Sequence, residues 1–246
     1  MQAVVLCAGK GSRLRPLTDA TPKPLVKING RTILSSALDG LLSEGVRDIT
    51  FVVKYRANQI QDYVIANYSG NFTFVEQGET GGTGAAILAA KHNVTREFIM
   101  LFGDSVFTST AVRDIRNGAG HGVVGVVQSH EPERYGCVEL QSNGFVSRIT
   151  EKPDVAKSKL VVLGGYRFPP SIMNYLERVP LSGRGELEAP DAVNLSIDDG
   201  CLYGVADISG SHDIASLDDI VRLDPSFRLL ASCAFMPSIA TSSDPR

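Results

Sequence analysis

The segment AVVLCAGKGSRLRPLTDATPKPL, Ala3 to Leu25, joins two contrasting textures without a linker. Ala3 to Ala8 is an unbroken apolar run bounded by Gly9, the pattern of a strand buried on both faces and therefore central in a sheet. The rest carries Gly9, Gly11, Pro16, Pro22 and Pro24, with Arg13, Arg15, Lys23 and, just beyond, Lys27. Prolines at this density are expected to hold the chain extended rather than helical, while the glycines open the backbone. Free N–H groups with converging cations are what a triphosphate needs. On the glycine pair alone, Gly9 to Arg13 reads equally as an ordinary strand-to-helix turn. A dinucleotide fingerprint fails because Leu14 stands where the third Gly belongs, and an NTPase phosphate loop fails because no Gly-Lys-Ser/Thr follows a four-residue gap.

Outward from this segment the chain alternates. Thr32 can cap a helix whose apolar positions Ile33, Ala37, Leu38, Leu41 and Leu42 have helical spacing, with Gly45 as its stop. Ile49–Val53 then reads as a strand, 58–67 as a helix, 72–76 as a strand, 83–92 as a helix and Phe98–Phe102 as a strand. Such alternation predicts a parallel sheet with helices on both faces, which binds ligands outside the carboxyl ends of its strands. From about Gly122 short strands dominate, and Asn143-Gly144 marks a hairpin. Helices over about 170–178 and 188–197, a strand CLYGVAD (Cys201–Asp207) and a last helix from about Ile214 to Val221 complete the pattern. Beyond Asp224 no period is visible, and 225–246 reads as a partly ordered tail. The predicted fold is therefore α/β: a Rossmann-like, doubly wound mixed sheet with an antiparallel β insertion. The main unit spans 1–224, with parts of about 1–121 and 122–210.

The 246 residues are 43% hydrophobic and 21% charged, enough for one large globular unit with a sizeable core. A net charge of -3 provides no global basic field, so duplex nucleic acid is not expected as a partner and anion binding must be local. Cys7, Cys137, Cys201 and Cys233 are scattered without metal-ligand or disulfide-framework spacing and read as reduced, buried thiols. No signal peptide or membrane span is legible, so a cytoplasmic protein without a membrane partner is expected. His92, His121 and His130 read as solvated or structural.

GKGSRLRPLT (Gly9–Thr18) followed by PKP (Pro22–Pro24) fits G-x-G-x-R-x-x-P-x-T plus P-K-P, and so resembles the sugar-1-phosphate nucleotidylyltransferases. The resemblance runs in order from Val4 to about Val221. It implies that Leu6, Ala8, Gly9, Gly11 and Ser12 wrap the nucleotide, that Arg13 binds the triphosphate and is aimed at the α-phosphoryl, and that Lys23 contacts phosphate. Glu76-Gln77 and GGTGAAI are similar to the family's base-reading elements, which implies nucleotide contacts at Gln77, Gly82 and Thr83. Alone, GETGGTG reads as a flexible turn capping the next helix.

Phe102-Gly103-Asp104 matches the family's Gly-Asp element, which implies Mg²⁺ on Asp104 and a place for Asp104 on the sugar-phosphate side. Mg²⁺ needs only one or two protein carboxylates beside phosphate oxygens and water, so an isolated Asp at a strand end is chemically sufficient. An Asp there can otherwise be a helix cap, a task open to Thr108–Thr110. Gly210-Ser211-His212-Asp213-Ile214 resembles the element with the second metal-binding Asp. It departs from the family in Ala215, Ser216 and Leu217, where Gly and then Thr-Pro are usual, and Asp213 has a competing reading as the N-cap of the last helix.

On the sugar side, Tyr135-Gly136, Glu151-Lys152-Pro153, Gly164-Gly165-Tyr166 and Gly185-Glu186-Leu187-Glu188 resemble family elements. They imply sugar-phosphate contacts at Gly136, Glu151, Lys152, Gly165 and Glu186. A carboxylate accepts two sugar hydroxyls, and a neighbouring Lys reaches phosphate as a point charge. The implied reaction is NTP plus sugar 1-phosphate giving NDP-sugar and pyrophosphate, with Arg13, Lys23 and Lys152 as the catalytic cations and Mg²⁺ as cofactor. Gln77 favours UTP or dTTP, with glucose 1-phosphate as the default acceptor. Two other readings stand beside it: transfer to a phosphorylated alcohol such as phosphocholine, and a non-catalytic nucleotide-sugar sensor or regulatory subunit. No hexapeptide-repeat acetyltransferase segment is visible, so acetyl transfer is not expected. Whether the protein is a homo-oligomer is not legible.

Overall fold

The apolar run after Met1 forms strand β1 (Gln2–Cys7), buried along its whole length. Its side chains alternate: Val4 and Leu6 enter one core while Ala3, Val5 and Cys7 enter another. A strand with two apolar faces can be covered only by packing on both sides. The computed structural model, which describes residues 1–227, shows how this is done.

The first half adds helix α1 (Leu17–Ala20), a small hairpin of β2 (Lys27–Ile28) and β3 (Arg31–Thr32), and α2 (Ile33–Ser43). β4 (Asp48–Val53), α3 (Ala57–Asn67), β5 (Asn71–Glu76), α4 (Thr83–Ala89), β6 (Phe98–Phe102), β7 (Ser105–Val106) and α5 (Ala111–Asn117) follow. The second half holds β8 (Gly122–Gln128), β9 (Gly136–Leu140), β10 (Val146–Glu151), β11 (Leu160–Phe168), α6 (Ile172–Leu176) and α7 (Ala189–Asp198). β12 (Tyr203–Asp207), β13 (His212–Asp213) and α8 (Leu217–Leu223) come last.

Nine strands form one sheet along the path β10-β9-β11-β6-β1-β4-β5, with β8 beside β11 and β12 beyond β8. β6, β1, β4 and β5 are parallel, and β11 runs antiparallel to β6. One core lies under α4, α6 and α7, where Ile87, Met173 and Val193 meet Val4, Met100 and Tyr166. The opposite core lies under α2, α3 and α5, where Leu38, Ile60 and Val112 meet Val5 and Phe51. The mixed, doubly wound sheet expected from the alternation is thus the observed one. The later strands extend this same sheet, since β11 bonds directly to β6, and β12 is parallel to β8 rather than antiparallel.

Local signals explain most element ends. The Thr32 hydroxyl accepts the Ser35 N–H as the N-cap of α2. Gly144, at φ +84°, turns the β9–β10 hairpin. Two expectations fail. The segment after Gly9 is not extended: residues 12–14 and 23–25 are 3₁₀ turns and Leu17–Ala20 is a turn of α-helix. Proline is barred from helix interiors but not from first turns, and here Pro16, Pro22 and Pro24 flank or begin these turns. The last helix starts at Leu217, not Ile214, because Ser216 and Asp219 form a reciprocal capping box. Cys7 and Cys137 are buried free thiols and Cys201 is half-buried. Cys233 and most of the expected tail lie outside the described residues.

Candidate active site

The carboxyl ends of β1 and β6, the loop before α4 and the ends of β9 and β10 open onto one cleft. Its larger cavity, about 580 Å³, runs from Gly11, Ser12, Arg13 and Lys23 past Asp104 and Asp213 to Tyr135, Gly136, Glu151 and Lys152. A second cavity of about 260 Å³ is lined by Leu6, Ala8, Gln77, Gly82 and Arg184 and shares Gly9, Thr83, Asp104, Lys152 and Glu186 with the first.

At the floor, Lys23 Nζ donates to Asp104 Oδ2 at 2.6 Å and stands 3.7 Å from Asp213 Oδ1. The Lys23 side chain is only 10% exposed. Burial alone would lower its pKa, but Asp104 and Asp213 outweigh it, so the ammonium is held above its ordinary range. Burial, only partly countered by Lys23, raises the Asp213 pKa. Gly11 makes this arrangement fit: at φ +62° its backbone passes so close that a Cβ would meet Lys23 Cβ at 2.8 Å. Arg13 is exposed on the cavity wall and forms no ion pair among the described residues.

Asp213 reaches this floor through contacts distant in sequence. β13 pairs with β7, setting Asp213 opposite Ser105, next to Asp104. Ile214 and Ile220 pack with Leu14, Val26, Ile28 and Ile33, and Asn29 bonds to Leu223 O and the Asp224 carboxylate. Neither Asp caps a helix: Ser216 is the N-cap of α8 and Thr110 that of α5. Residues opposite each other in an antiparallel pair share a face, so Ser105 and Asp213 point the same way. The Ser105 hydroxyl is buried and has no hydrogen-bond partner among the described residues. Two converging carboxylates and an orphaned hydroxyl form a hard-oxygen donor set, across which the Lys23 ammonium now lies. This fits Mg²⁺, whose remaining ligands are substrate oxygens and water. It does not fit an all-protein cage, since no cluster of three His, Cys, Asp or Glu able to hold a metal occurs among the described residues.

The loop of the second cavity is tied to the distal half. Gly81 pairs with Glu186, Leu187 N–H donates to Gly81 O at 3.0 Å, Gly84 N–H to Leu187 O at 2.8 Å and Ala189 N–H to the Thr83 hydroxyl at 3.1 Å. The Gln77 side-chain amide donates to Thr80 O at 3.0 Å, which turns it along the loop. Cys7 lines this cavity, but burial, reinforced by Asp104, pushes its thiol far up, so it offers no thiolate nucleophile.

On the far wall, Glu151 ends β10, and Lys152, at φ +44°, turns back with its N–H on Tyr135 O. Arg184 is 2.7 Å from Glu188 Oε1 and 3.6 Å from both Glu151 and Glu186, while Lys152 is 3.6 Å from Glu151. Burial raises the Glu151 pKa despite these cations.

The family model described as "Nucleotidyl transferase" matches residues 2–226. The chain belongs to the nucleotidyl transferase family. It is 37% identical to the bifunctional protein GlmU of Methanocaldococcus jannaschii over 205 residues, which cover 83% of this chain and 49% of that one. The chain thus spans about half the length of that relative. It is 34% identical to the UTP–glucose-1-phosphate uridylyltransferase AglF of Haloferax volcanii, over 85% of this chain and 89% of AglF. Its fold resembles that of a UDP-glucose pyrophosphorylase complexed with UDP-glucose, with a TM-score of 0.81 at 18% identity over 93% and 98% of the two chains.

Within this nucleotidyl transferase the cleft gathers the residues singled out by motif, with one exception. Gly165 does not line the cavity. A Cβ there would meet Ile115 and Leu101 in the opposite core, and its neighbour Gly164 faces the cleft. Successive strand residues point to opposite faces, which sets Gly164 and Gly165 on opposite sides of the sheet. Sequence reasoning also passed over Arg134 and Arg184 as site residues and left Tyr135 as a motif partner only. Arg184 had a signal, an Arg directly before the quoted Gly-Glu-Leu-Glu, whereas Arg134 sits in a 3₁₀ turn with no periodic context.

Proposed function

We propose that the protein transfers a nucleotidyl group from an NTP, with UTP or dTTP favoured, to a sugar 1-phosphate of the glucose 1-phosphate type, releasing pyrophosphate. The observation that carries the reading is a single continuous cleft. It sets Arg13, Lys23 and the two Asp carboxylates at one end and Tyr135, Glu151, Lys152 and Arg184 at the other. The relative AglF, named for UTP and glucose 1-phosphate, supports the substrate class.

The chemistry follows from charge and alignment. The acceptor phosphate is already an anionic nucleophile at neutral pH, so no general base is needed. A new bond forms between an acceptor phosphate oxygen and the α-phosphorus while the α–β bridging bond breaks, and the electron pair leaves with pyrophosphate. Arg13 and Lys23 neutralise the polyphosphate, Lys152 orients the attacking phosphate, and Glu151 accepts sugar hydroxyls. Asp104 and Asp213 would hold Mg²⁺, which supplies further charge neutralisation at the transferring phosphoryl group. The backbone of Gly9 and Gly11 approaches the phosphates, and the Gln77–Gly82 loop reads the base. Pyrophosphate release across a matrix of NTPs and sugar 1-phosphates with Mg²⁺ tests this. Turnover is expected with a pyrimidine NTP and a hexose 1-phosphate, and silence in every well would turn the reading to a nucleotide-sugar sensor.

A further inference from the structure

The cation between Asp104 and Asp213 belongs to the chain itself. Lys23 Nζ lies 2.6 Å from one carboxylate and 3.7 Å from the other. Its stem is held under the Gly11 backbone, and its carbonyl is tied to Val26 N–H at 3.1 Å. Arg13, a few residues away, has no such partner among the described residues and is free to meet an incoming anion. An ammonium and a divalent cation cannot both occupy the gap between two carboxylates without strong like-charge repulsion.

We propose that Lys23 is a built-in counter-ion that keeps the Asp104–Asp213 pair from loading a divalent cation until a nucleotide polyphosphate arrives and draws the ammonium away. This rests on the proposed placement of the metal on these two carboxylates. The ammonium offsets one of the pair's two negative charges, so a metal alone meets only one uncompensated negative charge. A polyphosphate brings several negative charges and a new partner for Lys23, and both carboxylates then become available. Metal and nucleotide consequently enter as a linked pair, with each raising the affinity for the other. The buried ammonium also spares the two carboxylates from standing unpaired, which would be costly.

The test is calorimetric titration of Mn²⁺ into the full chain, with and without a non-hydrolysable UTP analogue. Without nucleotide, the wild type is expected to bind Mn²⁺ weakly. Lys23→Met should bind it at least about tenfold more tightly, the scale on which one charge within 4–6 Å changes a carboxylate's affinity for a cation. Lys23→Arg, which keeps the charge, should stay at the wild-type value. With the analogue the wild type should gain metal affinity, and Asp104→Asn should lose it. Should Lys23→Met melt well below the wild type, Lys23→Gln provides the same comparison. Equal or weaker nucleotide-free binding in the charge-removing variant overturns the counter-ion proposal, even if the analogue still raises wild-type affinity and Asp104→Asn still abolishes it. Metal binding indifferent to Asp104→Asn in every condition overturns the metal placement and this proposal with it.

Discussion

At the scale of single residues, each charged group in the cleft has a separable task. Arg13 is exposed on the cavity wall and, in the proposed reaction, meets the polyphosphate, so Arg13→Ala should lower kcat by about a hundredfold or more, as loss of one transition-state charge contact does. Single-turnover kinetics would show this, and near-normal turnover would refute the role. Asp104→Asn should abolish Mg²⁺-dependent turnover, read as rate against metal concentration. Glu151 carries the pH prediction. Burial raises its pKa, so on acidification it protonates before an ordinary carboxylate, and the ionised form, which in the proposed reaction accepts sugar hydroxyls, is lost early. The acidic limb of kcat/KM should therefore lie above the usual Glu range and disappear in Glu151→Gln. The linkage to stability has the opposite sense. The favourable contribution of a group with a raised folded pKa is complete below its unfolded pKa and is lost as pH rises through the folded value. The melting temperature of Glu151→Gln relative to wild type should thus improve from acid towards neutral pH.

At the scale of elements, the site depends on loops held by partners distant in sequence. Gly82, at φ +99°, would place a Cβ 2.3 Å from Leu187 O, so Gly82→Ala must break the contact between the loop before α4 and the segment before α7. Backbone strain of this kind costs about 1–3 kcal/mol. The expected result is a lower melting temperature together with weaker nucleotide binding, measured by thermal shift and calorimetry. At α8, Ser216→Ala removes the hydroxyl of a complete capping box and should cost about 1 kcal/mol, or about 2–4 °C in melting temperature for a domain of this size. These contacts also show why motif reading reached unequal depth. Lys23, Asp104 and Glu151 stand in short patterns that match family elements, so they were legible as candidates. The Asp213 element departed from pattern and carried a cap reading beside its ligand reading; Ser216 as the N-cap of α8 removes the cap reading, and β13–β7 pairing sets Asp213 beside Asp104.

At the scale of the whole molecule, the distal strands are built into the nucleotide-side sheet. β11 pairs with β6, and the core under α4, α6 and α7 mixes Val4, Val52 and Met100 with Tyr166, Phe168 and Val193. A fragment of residues 1–121 should therefore not fold independently, a point that circular dichroism and amide-proton dispersion would check. Edge strand β10 is closed by α7, where the buried Asn194 amide accepts Ile149 N–H at 2.9 Å and donates to Ile149 O at 2.7 Å. By itself the sequence determined the α/β class, the doubly wound order of the first half and the cluster of glycines and cations at one end of the cleft. Apolar periodicity, glycine placement and clustered cations act over a few residues and are visible in one dimension. Only the tertiary structure decided that Asp213 faces Asp104 across Lys23, that Gly164 rather than Gly165 faces the cleft, and that Arg184 joins the acidic far wall. Those outcomes depend on strand register, face parity and contacts spanning tens to hundreds of residues, which no local pattern encodes.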